Sequence, residues 1–208
     1  MYKKLNQSGR SMIEMLGVLA IIGILTLASF AGYQKAVTKA RLNDSVRSVA
    51  MVLQNYADLL LRNPRGLNIT GTDAVEKAIL AGLNSECRPL ESETDEGYQV
   101  CDVPLGEMYM KFTDFESKQH SFMLFLTMVD ETPDTCTAFL SQGWEEIIPQ
   151  EWWTNGMIWL KSDNKEKVVY AEGGNPNLTR GEIATACQAG CPKDSGYCSV
   201  IFDFGSSY

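Results

Sequence analysis

From Met15 to Gln34 the chain runs 20 residues without a charge. Coiled as a helix at about 1.5 Å per residue, such a run spans roughly 30 Å, one bilayer core, and a buried core helix rarely needs so many uncharged residues. From Gln34 to Arg62 neither Pro nor Gly occurs, and Val46, Val49, Leu53, Tyr56 and Leu60 recur three or four residues apart. That spacing sets one apolar stripe on a helix. Lys35, Lys39, Arg41, Arg47 and Arg62 lie mostly off the stripe, and Pro64 with Gly66 ends it. The pattern predicts one helix from about Ser11 to Arg62, a rod of roughly 80 Å. Its first half is apolar all round, and its second half offers a single face to a globular domain.

Shorter rhythms follow. Asp73-Ala-Val-Glu76 reads as a capping box opening a short helix to Leu83. Met108–Phe115 and Ser121–Val129 read as strands joined by a turn over Glu116–His120, hence a hairpin. Pro133 suits the first position of a helix over Asp134–Gln142, stopped by Gly143. Met157–Lys161 and Lys167–Ala171 make a second hairpin. Thr179-Arg-Gly-Glu182 is another capping box, leading a helix to about Ala189, and Cys198–Phe204 is a final strand. A long helix followed by short helices and hairpins predicts an α+β fold with an antiparallel sheet.

Charge and chemistry narrow the function. The 208 residues carry a net charge of −8, which argues against a nucleic-acid-binding surface. No nucleophile elbow, phosphate-binding loop, zinc-protease motif or dinucleotide fingerprint occurs, and the acids are spread along the chain, so no enzyme and no cofactor are expected. Trp144, Trp152, Trp153 and Trp159 cluster in sequence, as core or as a binding surface. Cys87, Cys101, Cys136, Cys187, Cys191 and Cys198 all lie beyond the apolar run. An even count in an exported domain reads as three disulfides, with about 15 possible pairings. No Cys-x-x-Cys occurs and the single His is His120, so a metal site is not expected.

The start of the chain decides what the apolar run is for. Residues Met1 to Gly9 carry Lys3 and Lys4 and resemble the basic region of an export signal, which the positive-inside bias holds in the cytoplasm. Cleavage could follow the run, at the poor small-x-small site ending in Ala31, or precede it, after Gly9. Only the second keeps Glu14, a carboxylate whose placement near a bilayer core costs a few kcal/mol and so marks a function. Arg10, four residues earlier, offers Glu14 an intrachain partner. A short basic leader ending in Gly, followed by an apolar helix with Glu fifth after that Gly, resembles the type IV prepilins.

The resemblance covers Lys3 to about Tyr33 and implies the rest. Gly9 is then the residue before the cut, made by a membrane peptidase. Arg10 is the mature N-terminus and the site of N-terminal methylation, at a position where the family usually carries Phe, Met or another apolar residue. Glu14 becomes the assembly residue, meeting the N-terminal amine of the next subunit. Many members carry a helix-breaking Pro soon after the apolar run, and this chain has none before Pro64. Loss of Lys3 and Lys4 leaves 16 basic against 26 acidic residues, a mature charge of −10.

Less specifically, a short helix bearing Cys136, a helix ending in Cys187 and a terminal strand look like type IVb pilins, which implies a Cys136–Cys187 bond. The remaining cysteines suggest local pairs, Cys87 with Cys101 and Cys191 with Cys198. The expected fold is therefore the type IV pilin fold, a long N-terminal helix packed on an antiparallel sheet with short helices and disulfides. The expected domains are a leader over 1–9, a transmembrane and polymerisation segment over 10–34, and an exported globular domain over 35–208. The expected function is a pilus subunit that polymerises with itself, served by a prepilin peptidase and assembly machinery. It would sit in the bacterial inner membrane first and in a surface pilus afterwards. The alternatives are a minor pilin, a pseudopilin of type II secretion, or a membrane-anchored envelope binding protein that never polymerises.

Overall fold

The computed structural model describes residues 12–62, 79–83, 87–89, 98–115, 119–129, 133–150, 152, 156–163, 165–170 and 177–207. The elements are α1 (Met12–Arg62), β1 (Cys87–Pro89), β2 (Tyr98–Val103), β3 (Gly106–Phe115), β4 (Gln119–Val129), α2 (Pro133–Leu140), α3 (Trp144–Ile147), β5 (Gly156–Ser162), β6 (Lys165–Tyr170), α4 (Arg180–Gly190) and β7 (Tyr197–Ser207). Two compact units divide the chain, Met1–Ala40 and Arg41–Tyr208, with the division inside α1.

In the first unit, α1 has polar side chains that need no outside partner. The hydroxyls of Thr26, Ser29 and Thr38 donate to the carbonyls four residues earlier, at 2.7, 2.8 and 3.1 Å. Such back-bonding lets a hydroxyl sit in an apolar segment without an orphaned donor. Met15, Leu16, Val18, Leu19, Ile21, Ile22, Ile24, Leu25 and Phe30 are 53–69% exposed.

In the second unit, a seven-stranded antiparallel sheet runs in the order β1-β2-β3-β4-β7-β5-β6. The last strand, β7, is an interior strand, inserted between β4 and β5. β4 and β5 both run opposite to β7, so they are parallel to each other and need the crossover that carries α2 and α3. Strict alternation divides the sheet's two faces. Met108 and Met110, Phe122 to Met128, Val200 to Phe204 and Ile158 with Leu160 place every second side chain in the core.

Part of α1 completes that core. Leu42, Val49, Val52, Leu53 and Tyr56 are buried, and Val46 packs against them. The buried stripe is wider than the sequence pattern, because it takes in Ser45, whose hydroxyl accepts the Leu105 N–H at 3.0 Å. Arg41 donates to the Pro104 carbonyl at 2.8 Å, so the β2–β3 turn is held at two points. Asn55 donates to the carbonyls of Ile79 and Ala81 at 2.8 and 3.0 Å. Tyr56 stacks on Phe122 at 4.3 Å between ring centroids and meets Trp152 edge-on at 5.3 Å. The Leu60 side chain lies outside the described residues.

The expected type IV pilin fold is corrected here. Among the described residues no helix is long and apolar enough to cross a membrane. The architecture is a mixed α/β one organised by the seven-stranded sheet.

Smaller corrections concern the element ends. β4 begins at Gln119, so His120 is a strand residue paired with Asp114 and Ser206 and not part of a turn. α2 ends at Leu140, and Gly143, at φ 71°, precedes the further short helix α3. Cys87 and Cys101 are register partners in β1 and β2. The capping box at residues 73–76 lies outside the described residues. The one at Thr179 forms in full: Glu182 N–H donates to the Thr179 hydroxyl at 3.3 Å, and Thr179 N–H donates to the Glu182 carboxylate at 2.8 Å.

Candidate functional site

Of the residues the sequence assigns to assembly, Gly9 and Arg10 lie outside the described residues. Glu14 is part of α1, and its side chain lies outside them. What the structure describes is the segment that follows, with its exposed apolar side chains at successive positions. Leu16, Leu19 and Ile22 step three residues apart, Val18, Ile21 and Leu25 three and four, and Met15 and Ile24 fill other angles. At 3.6 residues per turn these positions surround the helix instead of forming one stripe.

The six cysteines are all bonded. Cys87–Cys101 joins β1 to β2 with Cα atoms 4.1 Å apart, Cys136–Cys187 joins α2 to α4 at 5.9 Å, and Cys191–Cys198 joins the end of α4 to the start of β7 at 5.2 Å. The sulfurs of Cys136, Cys191 and Cys198 lie within 4.8 Å of one another. Their engagement in disulfides leaves no thiolate to ligate a metal. Gly190 makes the close packing of α4 possible: a β-carbon there would stand 2.8 Å from the Leu160 Cβ and 3.1 Å from the Lys167 Cβ.

The sheet face turned away from the core carries one register row across seven strands. Arg88, Val100, Tyr109, Phe125, Ile201, Trp159 and Val168 are successive partners. Arg88 closes the row by bridging Asp102 at 3.0 Å and Glu107 at 3.3 Å. The Tyr109 hydroxyl donates to Glu107. Burial, then that bond to a carboxylate, raises its pKa to about 12, so it stays protonated. Asp203 is also on this face, and burial pushes its carboxyl upward. Thr127 and Ser199 share a hydroxyl–hydroxyl bond of 2.8 Å beside the row.

Two open grooves also mark the second unit. One of about 250 Å³ runs along α1 past Asp44, Arg47, Ser48 and Met51 to Gly82 and Pro104. The other, of about 500 Å³, lies between β6 and the start of α4. In the second, Thr179 holds the Glu182 carboxyl below its usual range through side-chain and backbone hydrogen bonds. That carboxylate is engaged in capping the helix. The Thr179 hydroxyl donates to that carboxylate at 2.7 Å as part of the same cap. Of the four tryptophans, Trp144 is buried in the core and donates to the Phe139 carbonyl at 2.9 Å, Trp152 packs on Tyr56 and Phe204, and Trp159 sits in the outer row. Trp153 lies outside the described residues. Sequence pattern could not separate these placements, because they depend on which strand lies beside β5.

No protein-family model matches the chain, and no curated protein or solved structure does either.

Proposed function

We propose that the chain is a structural subunit of a bacterial surface filament of the type IV pilus kind, cut after Gly9 and assembled with other copies through its apolar N-terminal segment. The observation that carries this reading is the exposure of nine large apolar side chains between Met15 and Phe30. An exposed apolar surface of this extent calls for a partner. Because it surrounds the helix, one neighbour on one side leaves most of it in water. Lipid at the inner membrane would cover it before assembly, and several parallel copies would cover it in a filament.

The Gly9–Glu14 spacing supplies the register. A carboxylate brought into a bundle of apolar side chains is costly unless a cation meets it, by several kcal/mol in a dry interior. The α-amine freed by cleavage after Gly9 is such a cation on the neighbouring copy, while Arg10 offers a second. Pairing across copies rewards one axial offset and penalises the others. Three disulfides in the second unit suit a head exposed outside the cell.

The test is Glu14→Ala expressed together with the wild-type chain. The variant is expected to be cut normally and to be absent from sheared filaments. Incorporation at its expressed ratio would overturn the register role of Glu14.

A further inference from the structure

Two of the three disulfides are neighbours. Cys136 leaves α2 to meet Cys187 in the last turns of α4, and Cys191, at the end of the same helix, meets Cys198 in β7. Cys191 N–H donates to the Cys187 carbonyl at 2.8 Å, so the two cysteines are one helical turn apart. Residues one turn apart project from the same side. The sulfurs of Cys136, Cys191 and Cys198 accordingly lie within 4.8 Å of one another, with Cys187 bonded to the first. All four residues are buried. An attacking thiolate here needs no diffusion and little chain movement, only a rotation about its own side-chain bonds.

We propose that Cys136, Cys187, Cys191 and Cys198 form one disulfide-exchange unit, in which Cys136 can be bonded either to Cys187 or to Cys191, so that α4 stays tied to α2 when one of the native bonds is lost. The proposal rests on the cysteine geometry alone and is independent of filament assembly.

The chemistry balances without an oxidant. If Cys187 is missing, the Cys136 thiol gives up its proton and its thiolate attacks the Cys191 sulfur. The Cys136–Cys191 bond forms, the Cys191–Cys198 bond breaks, and the Cys198 thiolate leaves and takes up a proton. If instead a dithiol reduces Cys191–Cys198, it leaves as its own cyclic disulfide. The Cys191 thiolate then attacks Cys136 and expels Cys187. In both cases α4 remains joined to α2, now through its end and not its interior. The segment on β7 is the one released.

Cleavage after Lys118, Lys161, Arg180 and Lys193 places Cys136, Cys191 and Cys198 of a Cys187→Ser chain on three different peptides. The full-length variant is oxidised in air, quenched in acid, alkylated and digested with trypsin. The expected result is a large share of molecules with the Cys136 peptide cross-linked to the Cys191 peptide and Cys198 alkylated, and a Cys136–Cys198 cross-link in its place would overturn the proposal. Alkylated Cys136 in every molecule, with Cys191–Cys198 intact, would overturn the proposal.

A second measurement covers a variant that does not fold. The wild-type chain is treated with less than one equivalent of a small dithiol, then quenched and mapped by fragmentation. Cys136–Cys191 bonds with alkylated Cys187 are expected. Finding only native pairs and their reduced forms would overturn it equally.

Discussion

Tyr56 lies flat on Phe122, with ring centroids 4.3 Å apart and planes 26° from parallel. Tyr56 comes from α1 and Phe122 from β4, so this stack fixes the helix against the centre of the sheet. Both rings are fully buried, and Trp152 closes the edge of Tyr56. Truncating a core aromatic costs the transfer energy of the ring and a cavity, in all about 3–5 kcal/mol. Tyr56→Ala is expected to lower the denaturant midpoint of the full chain accordingly, while Leu61→Ala, at a 75% exposed position on the same helix, leaves it nearly unchanged.

Two carboxyls give opposite pH behaviour. Asp203 has its folded pKa raised by burial, so the folded chain binds a proton more readily than the unfolded one. Stability then falls as pH rises from the ordinary carboxylate range through the raised folded value. Asp203→Asn is expected to stabilise the chain at neutral pH and to remove that slope. Glu182 has its folded pKa lowered, so its contribution is present above the ordinary carboxylate range and is lost as pH falls through the folded value. Denaturation of the wild type, Asp203→Asn and Glu182→Gln at a series of pH values separates the two.

Gly190 has no room for a side chain, because Leu160 and Lys167 would lie within 3.1 Å of an added β-carbon. Gly190→Ala must lift the end of α4 off β5 and is expected to cost about 1–3 kcal/mol, as overpacked cores do. A denaturant melt compared with Gly181→Ala, where the nearest atom is 3.9 Å away, checks it.

Removing both Cys136 and Cys187 releases a loop of 51 residues and is expected to cost about 2–4 kcal/mol. Cys187→Ser alone is expected to cost less, because Cys136 can re-pair with Cys191. Equal losses in the single and double variants would speak against that re-pairing.

Where the chain advertises a repeating local pattern, the sequence reading and the structure agree. The β3–β4 and β5–β6 hairpins, β7 and the Thr179 capping box rest on two- and three-residue rhythms that neighbours in sequence impose by themselves. β1 is only Cys87–Pro89, too short to alternate, and it exists as a strand because Arg88 and Cys87 find register partners in β2. The interior place of β7 is also invisible locally, since it is set by pairing with β4 and β5, each far away in the chain. The outer row from Arg88 to Val168 follows from that order and was equally out of reach. The pilin fold expected from the leader and the apolar run gives way to a mixed α/β architecture organised by the seven-stranded sheet, and among the described residues no helix is long and apolar enough to cross a membrane. Gly9, Arg10 and the Glu14 side chain, which carry the assembly reading, are legible in the sequence alone.

The most direct measurement is therefore the mass of the mature N-terminus from cells that carry the chain. Assembly through a processed apolar segment predicts a first residue of Arg10, with Glu14 retained five residues from the new amine. A chain that begins at Met1, or one cut after Ala31, would contradict it.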